Sequence, residues 1–496
     1  MILATMLLAA TAAAPPRQLP PELDAYIEKA RKDSTVPGLA IAVVDANGVV
    51  TAKGYGVRRL GSPELVDADT HFDCASLTKS FTAAMIATLV DEGKLHWDDR
   101  VRDIMPSISF GDPYLDANVN LRDLLTHRVA LQPANMLARF SNYDQAEVFR
   151  RIRYLKPQGP FRADFVYSNL MYTLAGAMAE QVTGKRWGTL VRERLLTPLG
   201  MNDTNTEEDL SVPNSASPHA LLDNMQKPVK SYYWKTMAPS AAIASTARDM
   251  ARWLQFQLGD GTWEGKRIVS VASMEAMHSP QVIIPTTAAM RASRGVDYFA
   301  GYGFGWQVFD YHGRPMLWHS GNGDGMPSYM AILPKQKLGV IVMTNTWVAR
   351  LLHGALAGYI LDTLLGVELT DNAKGAIDLE RTDRERYAAA VAEEDKKRVK
   401  NTHPSVALAE YAGTYNDPLF GDMKVTLQGD KLALQFAGGE IADLSHWHYD
   451  TFEVFWREPL LRWYYGTAVT FSLDGDGKPS RLQMRLNRDD IDAKKK

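Results

Sequence analysis

A chain of 496 residues exceeds what one hydrophobic core ordinarily organises, so two or three domains are expected. Its 46% hydrophobic and 23% charged residues, with a formal net charge of -3, describe an ordinary soluble globular protein and leave no basis for a nucleic-acid surface. The single cysteine, Cys74, excludes an intrachain disulfide framework and is expected to be a small buried residue.

Taken in chain order, Ile2 to Ala14 is apolar and ends in Ala12-Ala13-Ala14 before Pro15-Pro16. Residues 1–20 therefore read as an export signal with a small-residue cleavage site, although no lysine or arginine precedes the apolar run. A periplasmic or secreted protein is expected. No other segment is apolar for the roughly 18 residues that a membrane-crossing helix needs.

Pro21 to Asp33 has helical spacing, and the runs Gly38 to Asp45 and Val49 to Tyr55 flank Asn47-Gly48, the signature of a tight hairpin. Four more strands are expected far downstream, at Gly303 to Phe309, Pro315 to Ser320, Ser328 to Leu333 and Leu338 to Thr344. Between them lie helices at Ser76 to Glu92, Leu121 to His127, Asn169 to Thr183, Arg186 to Leu196 and Thr246 to Leu258. Another follows at Arg350 to Leu365. Phe81, Met85, Leu89 and Val90 mark one side of the Ser76 helix. Strands from both ends with helices between predict an α+β domain over 21–375: an antiparallel sheet with helices on both faces and a helical lobe.

Residues 376–404 are dense in charge and read as a helical connector. From 405 to 496 the pattern is short β segments: Gly413 to Tyr415, Met423 to Gln428, Lys431 to Phe436, Thr451 to Trp456, Ala468 to Leu473 and Ser480 to Leu486. Their regular spacing predicts a small antiparallel barrel. Trp447, Phe452, Phe455, Trp456, Trp463, Tyr464 and Tyr465 would be its core and wall. His446 and His448 have metal-compatible spacing but no evident third ligand, so a surface strand is expected and no metal or cofactor is implied.

The chemistry concentrates in Ser76-Leu77-Thr78-Lys79. Residues three apart share a helix face, so Ser76 and Lys79 can meet. At a helix start the backbone N–H is free and the dipole favours negative charge. A serine hydroxyl needs a base, and a desolvated lysine can serve because burial lowers its pKa. Alone, Ser-x-x-Lys arises often by chance and reads first as a helix cap beside an exposed lysine. Two later segments change that. Tyr167-Ser168-Asn169 opens a helix and offers a phenol to relay protons and an amide to orient the lysine. His319-Ser320-Gly321 ends the strand Met316 to Trp318, where glycine would let a substrate backbone approach closely. His127 is expected to be a packed structural histidine.

With these motifs the chain resembles the superfamily of serine β-lactamases, penicillin-binding DD-peptidases and related family VIII esterases and D-aminopeptidases. Lys79-Ser80-Phe81-Thr82, Asp123-Leu124-Leu125-Thr126-His127, Pro198-Leu199-Gly200-Met201 and Ser245-Thr246-Ala247-Arg248-Asp249-Met250 are further segments in family order. The resemblance covers about Asp24 to Leu365. It implies Ser76 as acylated nucleophile, Lys79 as base and Tyr167 as proton shuttle. Asn169 and His319-Ser320-Gly321 would hold substrate, and the N–H groups of Ser76 and Asn322 would form the oxyanion hole. His319 stands where penicillin-recognising enzymes usually carry lysine.

Two departures fall near the expected cleft. Val129-Ala130-Leu131 replaces a common Ser-Gly-Leu, and Pro239-Ser240-Ala241-Ala242 replaces an Ala-Gly-Gly stretch. The C-terminal segment, opening on Tyr411-Ala412-Gly413-Thr414-Tyr415, resembles the lipocalin-like modules appended to such hydrolases. Ester or amide hydrolysis of carboxylic esters or D-amino-acid peptides is thus expected. β-Lactamase or DD-peptidase activity and a non-catalytic envelope-binding role are the alternatives. The implied partners are a small-molecule or peptide substrate, with self-association into a homo-oligomer left open.

Overall fold

The structure, a computed structural model, describes residues 19–496 except 208, 223–224, 233–234, 287–298, 465–466 and 488. The signal-like segment Ile2 to Ala14 and Tyr465 lie outside the described residues. Strands from the two ends of the first domain form one antiparallel sheet. They are β1 (Gly38–Asp45), β2 (Gly48–Gly56), β3 (Val282–Ile283), β4 (Ala300–Tyr302), β5 (Gln307–Tyr311), β6 (Arg314–Gly323), β7 (Met326–Leu333) and β8 (Leu338–Thr344). Their spatial order is β2-β1-β8-β7-β6-β5-β4-β3, so the opening hairpin is zipped to the end of the domain by β1 against β8.

Period-two alternation builds a core on each face. Leu39, Ile41 and Val43 of β1 point into one, with Leu23 and Ile27 of α1 (Pro21–Asp33) and Leu356 and Ile360 of a helix at Leu352–Leu365. Ala40, Ala42 and Val44 point into the other, with residues of α2 (Thr78–Asp91), α3 (Asn169–Thr183) and α4 (Ala247–Leu258). The sheet is therefore apolar on both sides, and α2 lies deep within its layer. Every residue from Thr78 to Leu89 is buried, so this helix has no solvent face, unlike the one-sided pattern expected.

Of the strand expected over Gly303 to Phe309, Gln307 to Phe309 belong to β5, whereas Gly303 to Trp306 form the hairpin turn between β4 and β5, closed by the Gly303 N–H to the Trp306 carbonyl at 2.8 Å. Gly305 makes the turn at φ 79°, and a Cβ there would lie 2.7 Å from the Lys79 carbonyl oxygen. The hairpin thus packs against the first turn of α2, and only glycine fits the contact.

A connector helix, Asn372–Lys396, leads to a closed barrel of eight consecutive antiparallel strands from Gly413–Asp417 to Asp489–Lys495. Six of these strands were expected. The two additional ones, Ile441–His448 and Asp489–Lys495, hide their alternation behind polar residues. In the last, Ile491 and Ala493 point inward among aspartates and lysines. Tyr411, Tyr415, Phe452, Trp456 and Phe471 fill the barrel, whereas Phe455 is half exposed beneath Arg462. The barrel docks on the first domain through residues 131–151, where Phe140 packs edge-on against Phe436 and Trp456 and Arg139 bonds Glu440. No described helix is long and apolar enough to cross a membrane.

Candidate active site

A short strand, Phe72–Ala75, pairs with Ile243–Ser245 and delivers the chain to α2. Ala75 then turns at φ 44°, a left-handed conformation that costs a non-glycine residue about 1–2 kcal/mol. Its N–H is held by Asp73 Oδ1 at 2.6 Å, and its carbonyl accepts from Thr78 Oγ1 at 2.6 Å. Ser76 therefore lies in the turn just ahead of the first helical residue rather than within the helix. Its N–H is among the donors that a helix start leaves without an intrahelical acceptor.

Lys79, one turn on, is completely buried. Its Nζ lies 3.1 Å from Ser76 Oγ, 2.7 Å from Asn169 Oδ1 and 3.0 Å from the Ser240 carbonyl oxygen. None of these partners carries a charge, and burial holds the Lys79 ammonium well below its ordinary pKa. Asn169 Oδ1 and the Ser240 carbonyl can only accept, so a neutral Lys79 amine spends its two N–H bonds on them. Its lone pair then faces Ser76 Oγ. The Pro239-Ser240-Ala241-Ala242 departure is part of this arrangement, since it supplies the Ser240 carbonyl and Pro239 is tied to α2 by Thr82 Oγ1 at 2.6 Å.

Tyr167 reaches Ser76 from the other side. Its ring packs against Lys79 Nζ at 4.7 Å, and its phenol lies beside the Ser76 side chain. Desolvation pushes the phenol above its usual pKa and the Ser76 contact partly opposes this, so Tyr167 keeps its proton at neutral pH. Ser168 caps α3, its Oγ accepting from the Met171 N–H. The Ser168 N–H bonds His127 Nδ1 at 3.1 Å, and the His127 ring packs 4.3 Å from that of Tyr167. Burial, reinforced by Lys79 and His319, keeps His127 neutral. Its proton therefore sits on Nε2, which has no hydrogen-bond partner among the described residues.

His319 is also buried and neutral, pushed down to about 3 by desolvation and by Lys79. Its Nδ1 lies 2.8 Å from the Ser320 carbonyl oxygen, which can only accept, so Nδ1 carries the proton. Nε2 is then an acceptor for the Tyr302 hydroxyl at 3.1 Å. Both ring nitrogens are committed to protein partners. Gly321 has a different reason from the one expected: a Cβ there would lie 2.2 Å from the Cys74 carbonyl oxygen and 2.3 Å from Ser328 Oγ. Internal packing, before any substrate, demands glycine at this position.

β5 ends opposite Trp318, so β6 has no β5 partner from His319 to Gly323. Asn322, exposed, sits opposite Pro327, which has no N–H. The Pro327 carbonyl accepts from Thr344 Oγ1 on the other side. Proline occupies the non-hydrogen-bonded positions of an antiparallel pair, which turns the Asn322 N–H toward the open edge.

Ser76, Lys79, Tyr167 and Asn169 thus meet directly, and His319 and Ser320 stand behind them. Ser240, Tyr302 and His127 complete the surroundings. Sequence reasoning placed the Ser240 segment near the cleft but not its role, which is carried by the backbone, and nothing in the spacing of Tyr302 flagged it. Among the described residues no group of three or more His, Cys, Asp or Glu side chains could hold a metal ion.

Comparison with known proteins bears on the whole chain. A family model described as Beta-lactamase matches residues 23–364, and one described as a domain of unknown function, DUF3471, matches residues 397–495. The unguisins hydrolase ungD' of Aspergillus campestris is 28% identical over 79% of this chain and 74% of its own. Penicillin-binding protein 4 of Amycolatopsis lactamdurans is 28% identical over 69% of this chain and 89% of its own. Among solved structures, the octameric penicillin-binding protein homologue from Pyrococcus abyssi superposes with a TM-score of 0.61 at 21% identity. It covers 95% of this chain and 99% of that one. SurE gives a TM-score of 0.57 at 20% identity, over 96% and 98%. With 23–364 making up more than half its length, the chain belongs to the Beta-lactamase family.

Proposed function

We propose that the protein is a serine hydrolase that cleaves ester or amide bonds through an acyl-Ser76 intermediate. The observation that carries this reading is the Lys79 amine: buried, held below its ordinary pKa, anchored by two neutral acceptors and 3.1 Å from Ser76 Oγ. In acylation Ser76 Oγ attacks the carbonyl carbon and gives its proton to Lys79. Tyr167, protonated and in contact with Ser76, passes a proton to the leaving group. In the second step water gives a proton to the Tyr167 phenolate as it attacks the acyl carbon, and the Ser76 oxygen leaves with the proton held on Lys79, which restores both groups. The N–H groups of Ser76 and Asn322 would receive the oxyanion, an interaction worth about 10²–10³ in rate for one donor.

The His319 environment bears on substrate class. A neutral imidazole tied to Tyr302 and Ser320 offers no cation to a substrate carboxylate, which favours carboxylic esters or D-amino-acid peptides over β-lactams. The unguisins hydrolase and the penicillin-binding protein among its relatives are compatible with either. We further take 21–375 as the hydrolase domain, 376–404 as a linker and 405–496 as the barrel domain, with export directed by the apolar segment at residues 1–20.

The test is covalent labelling. Wild type and Ser76→Ala would be treated with a fluorophosphonate and with labelled penicillin, then profiled on p-nitrophenyl esters and D-amino-acid amides. An adduct on wild type alone, with ester or amide turnover, is the expected result. No adduct and no turnover of any substrate would point to a binding protein instead.

A further inference from the structure

The barrel contributes one buried carboxylate to the first domain. Asp489, only 2% exposed at the start of the last barrel strand, accepts from Gln132 Nε2 at 3.0 Å and from the Ala134 N–H at 3.3 Å. The Met136 N–H is a third donor to the same group. These are alternate residues of one loop. The residues between them face the other way. The Pro133 carbonyl accepts from Ser168 Oγ at 3.4 Å, and Asn135 Oδ1 accepts from the Asn169 N–H at 3.3 Å. Loop 132–136 is thus a two-sided strip, held by the barrel along one edge and gripping the Tyr167-Ser168-Asn169 segment along the other.

The strip is not at rest by itself. Ala130 and Ala134 have φ of 59° and 49°, conformations that non-glycine residues hold only when surrounding structure determines them. The surrounding hold includes the Asp489 bonds, a pair of backbone bonds at 2.8 Å, from the Gln132 N–H to the Lys156 carbonyl and from the Gln158 N–H to the Ala130 carbonyl, and the Lys156 N–H to Gln132 Oε1 at 3.4 Å. Beyond Asn169 lies the 2.7 Å bond to Lys79, and Tyr167 is the neighbouring residue on the other side of Ser168.

We propose that Asp489 is a positioning residue for the Ser76 site, acting through loop 132–136 to fix where Asn169 and Tyr167 stand relative to Lys79. The role of the barrel is then to support the site from behind. The proposal rests on the acyl-Ser76 reading for its kinetic consequence, but its structural content can be read separately.

The experiment uses the full chain with Asp489→Ala, Asp489→Asn, Asn135→Ala and the double variant Asp489→Ala with Asn135→Ala. Active sites are counted by fluorophosphonate labelling, kcat and KM for a p-nitrophenyl ester are expressed per labelled site, and hydrogen exchange is followed on peptides covering 165–175. Asp489→Ala should lower kcat per labelled site about tenfold with KM little changed, the size expected for a small misplacement of reacting groups. Asp489→Asn, which keeps an acceptor oxygen, should recover most of it. Asn135→Ala should mimic the loss, and the double variant should be no worse than either single one. Exchange at Ser168 and Asn169 should accelerate in each impaired variant.

A purely structural role would reduce the number of labelled sites and leave each as fast as before. That outcome, or multiplicative losses in the double variant, or unchanged exchange at 168–169, would overturn the proposal. Should Asp489→Ala fail to fold, Gln132→Ala, which removes one of the Asp489 bonds, takes its place alone and combined with Asn135→Ala, with the same expected and overturning outcomes. Unlabelled wild type would count against acyl-Ser76, and the exchange result would still decide the coupling.

Discussion

Two buried bases stand near Tyr167, Lys79 Nζ 4.7 Å and the His319 ring 6.2 Å from its ring centre, and they differ in what surrounds them. Lys79 and His319 are both withdrawn from solvent, and both are held below their ordinary pKa by desolvation. Lys79 has two bonds to groups that can only accept, and its remaining direction points at a hydroxyl. His319 has Tyr302 on one nitrogen and the Ser320 carbonyl on the other, and nothing is left over. Burial alone therefore does not make a group reactive. What separates the two is whether the last hydrogen-bonding direction is closed by a structural partner or ends on the Ser76 hydroxyl proposed to react.

The largest effect should come from breaking the open side. Lys79→Met, which fills the same volume without a base, should lower kcat/KM for a p-nitrophenyl ester by about 10³-fold or more while leaving the chain folded. His319→Gln, assayed in parallel, should cost less than about tenfold, because no proton in the reaction is assigned to it. Equal losses in the two would dissolve the distinction.

Acid should act on the closed side. His319 and His353 are neutral in the folded chain, pushed down to about 3 and about 4 by burial. The unfolded chain binds these protons at about 6.5. As pH falls below that value the unfolded state therefore gains protons that the folded state refuses, and stability declines. Each such histidine contributes at most about 1.4 kcal/mol per pH unit; His278, pushed down to about 4, and His127 and His219, also lowered by burial, add to the decline, while Glu380, pushed up to about 7, opposes it, so the unfolding free energy from urea denaturation should fall between pH 6 and 4. A flat profile would mean that the imidazoles protonate in place.

Tyr302→Phe opens His319 without touching Lys79. It leaves a buried acceptor unmade, which costs about 1–3 kcal/mol in a denaturation experiment. Ester turnover per labelled site should change far less than in Lys79→Met. The smallest effect is expected at Ala130, whose φ is 59°. Ala130→Gly relieves a left-handed alanine but frees the unfolded chain, so a net gain of about 0.5 kcal/mol is expected in the same experiment.

Much of this is legible in the amino-acid sequence. The α+β arrangement followed from strands at both ends of a helical middle, and the pairing of β1 with β8 is its physical expression. The Ser-x-x-Lys spacing and the Tyr167-Ser168-Asn169 opening of a helix drew attention to the residues that meet in space. What escaped was of two kinds. Backbone groups such as the Ser240 carbonyl carry no signature in residue identity, and the Ala130 and Ala134 conformations contradict local preference because tertiary contacts impose them. Asp489 sits in a strand whose aspartates and lysines conceal its alternation, and its partners lie more than three hundred positions away. The glycine at 321 was noticed for a substrate, yet the neighbouring strand already requires it.

The central claim is that a neutral Lys79 takes the proton from Ser76. The most direct measurement is the rate of fluorophosphonate labelling as a function of pH, with the adduct mapped by peptide mass. The label should fall on the Ser76 peptide, and its rate should rise with pH through a single limb well below the ordinary lysine value of 10.5. That limb should vanish in Lys79→Met. A label elsewhere in the chain, or a Ser76 rate that keeps the same limb without Lys79, would contradict the account.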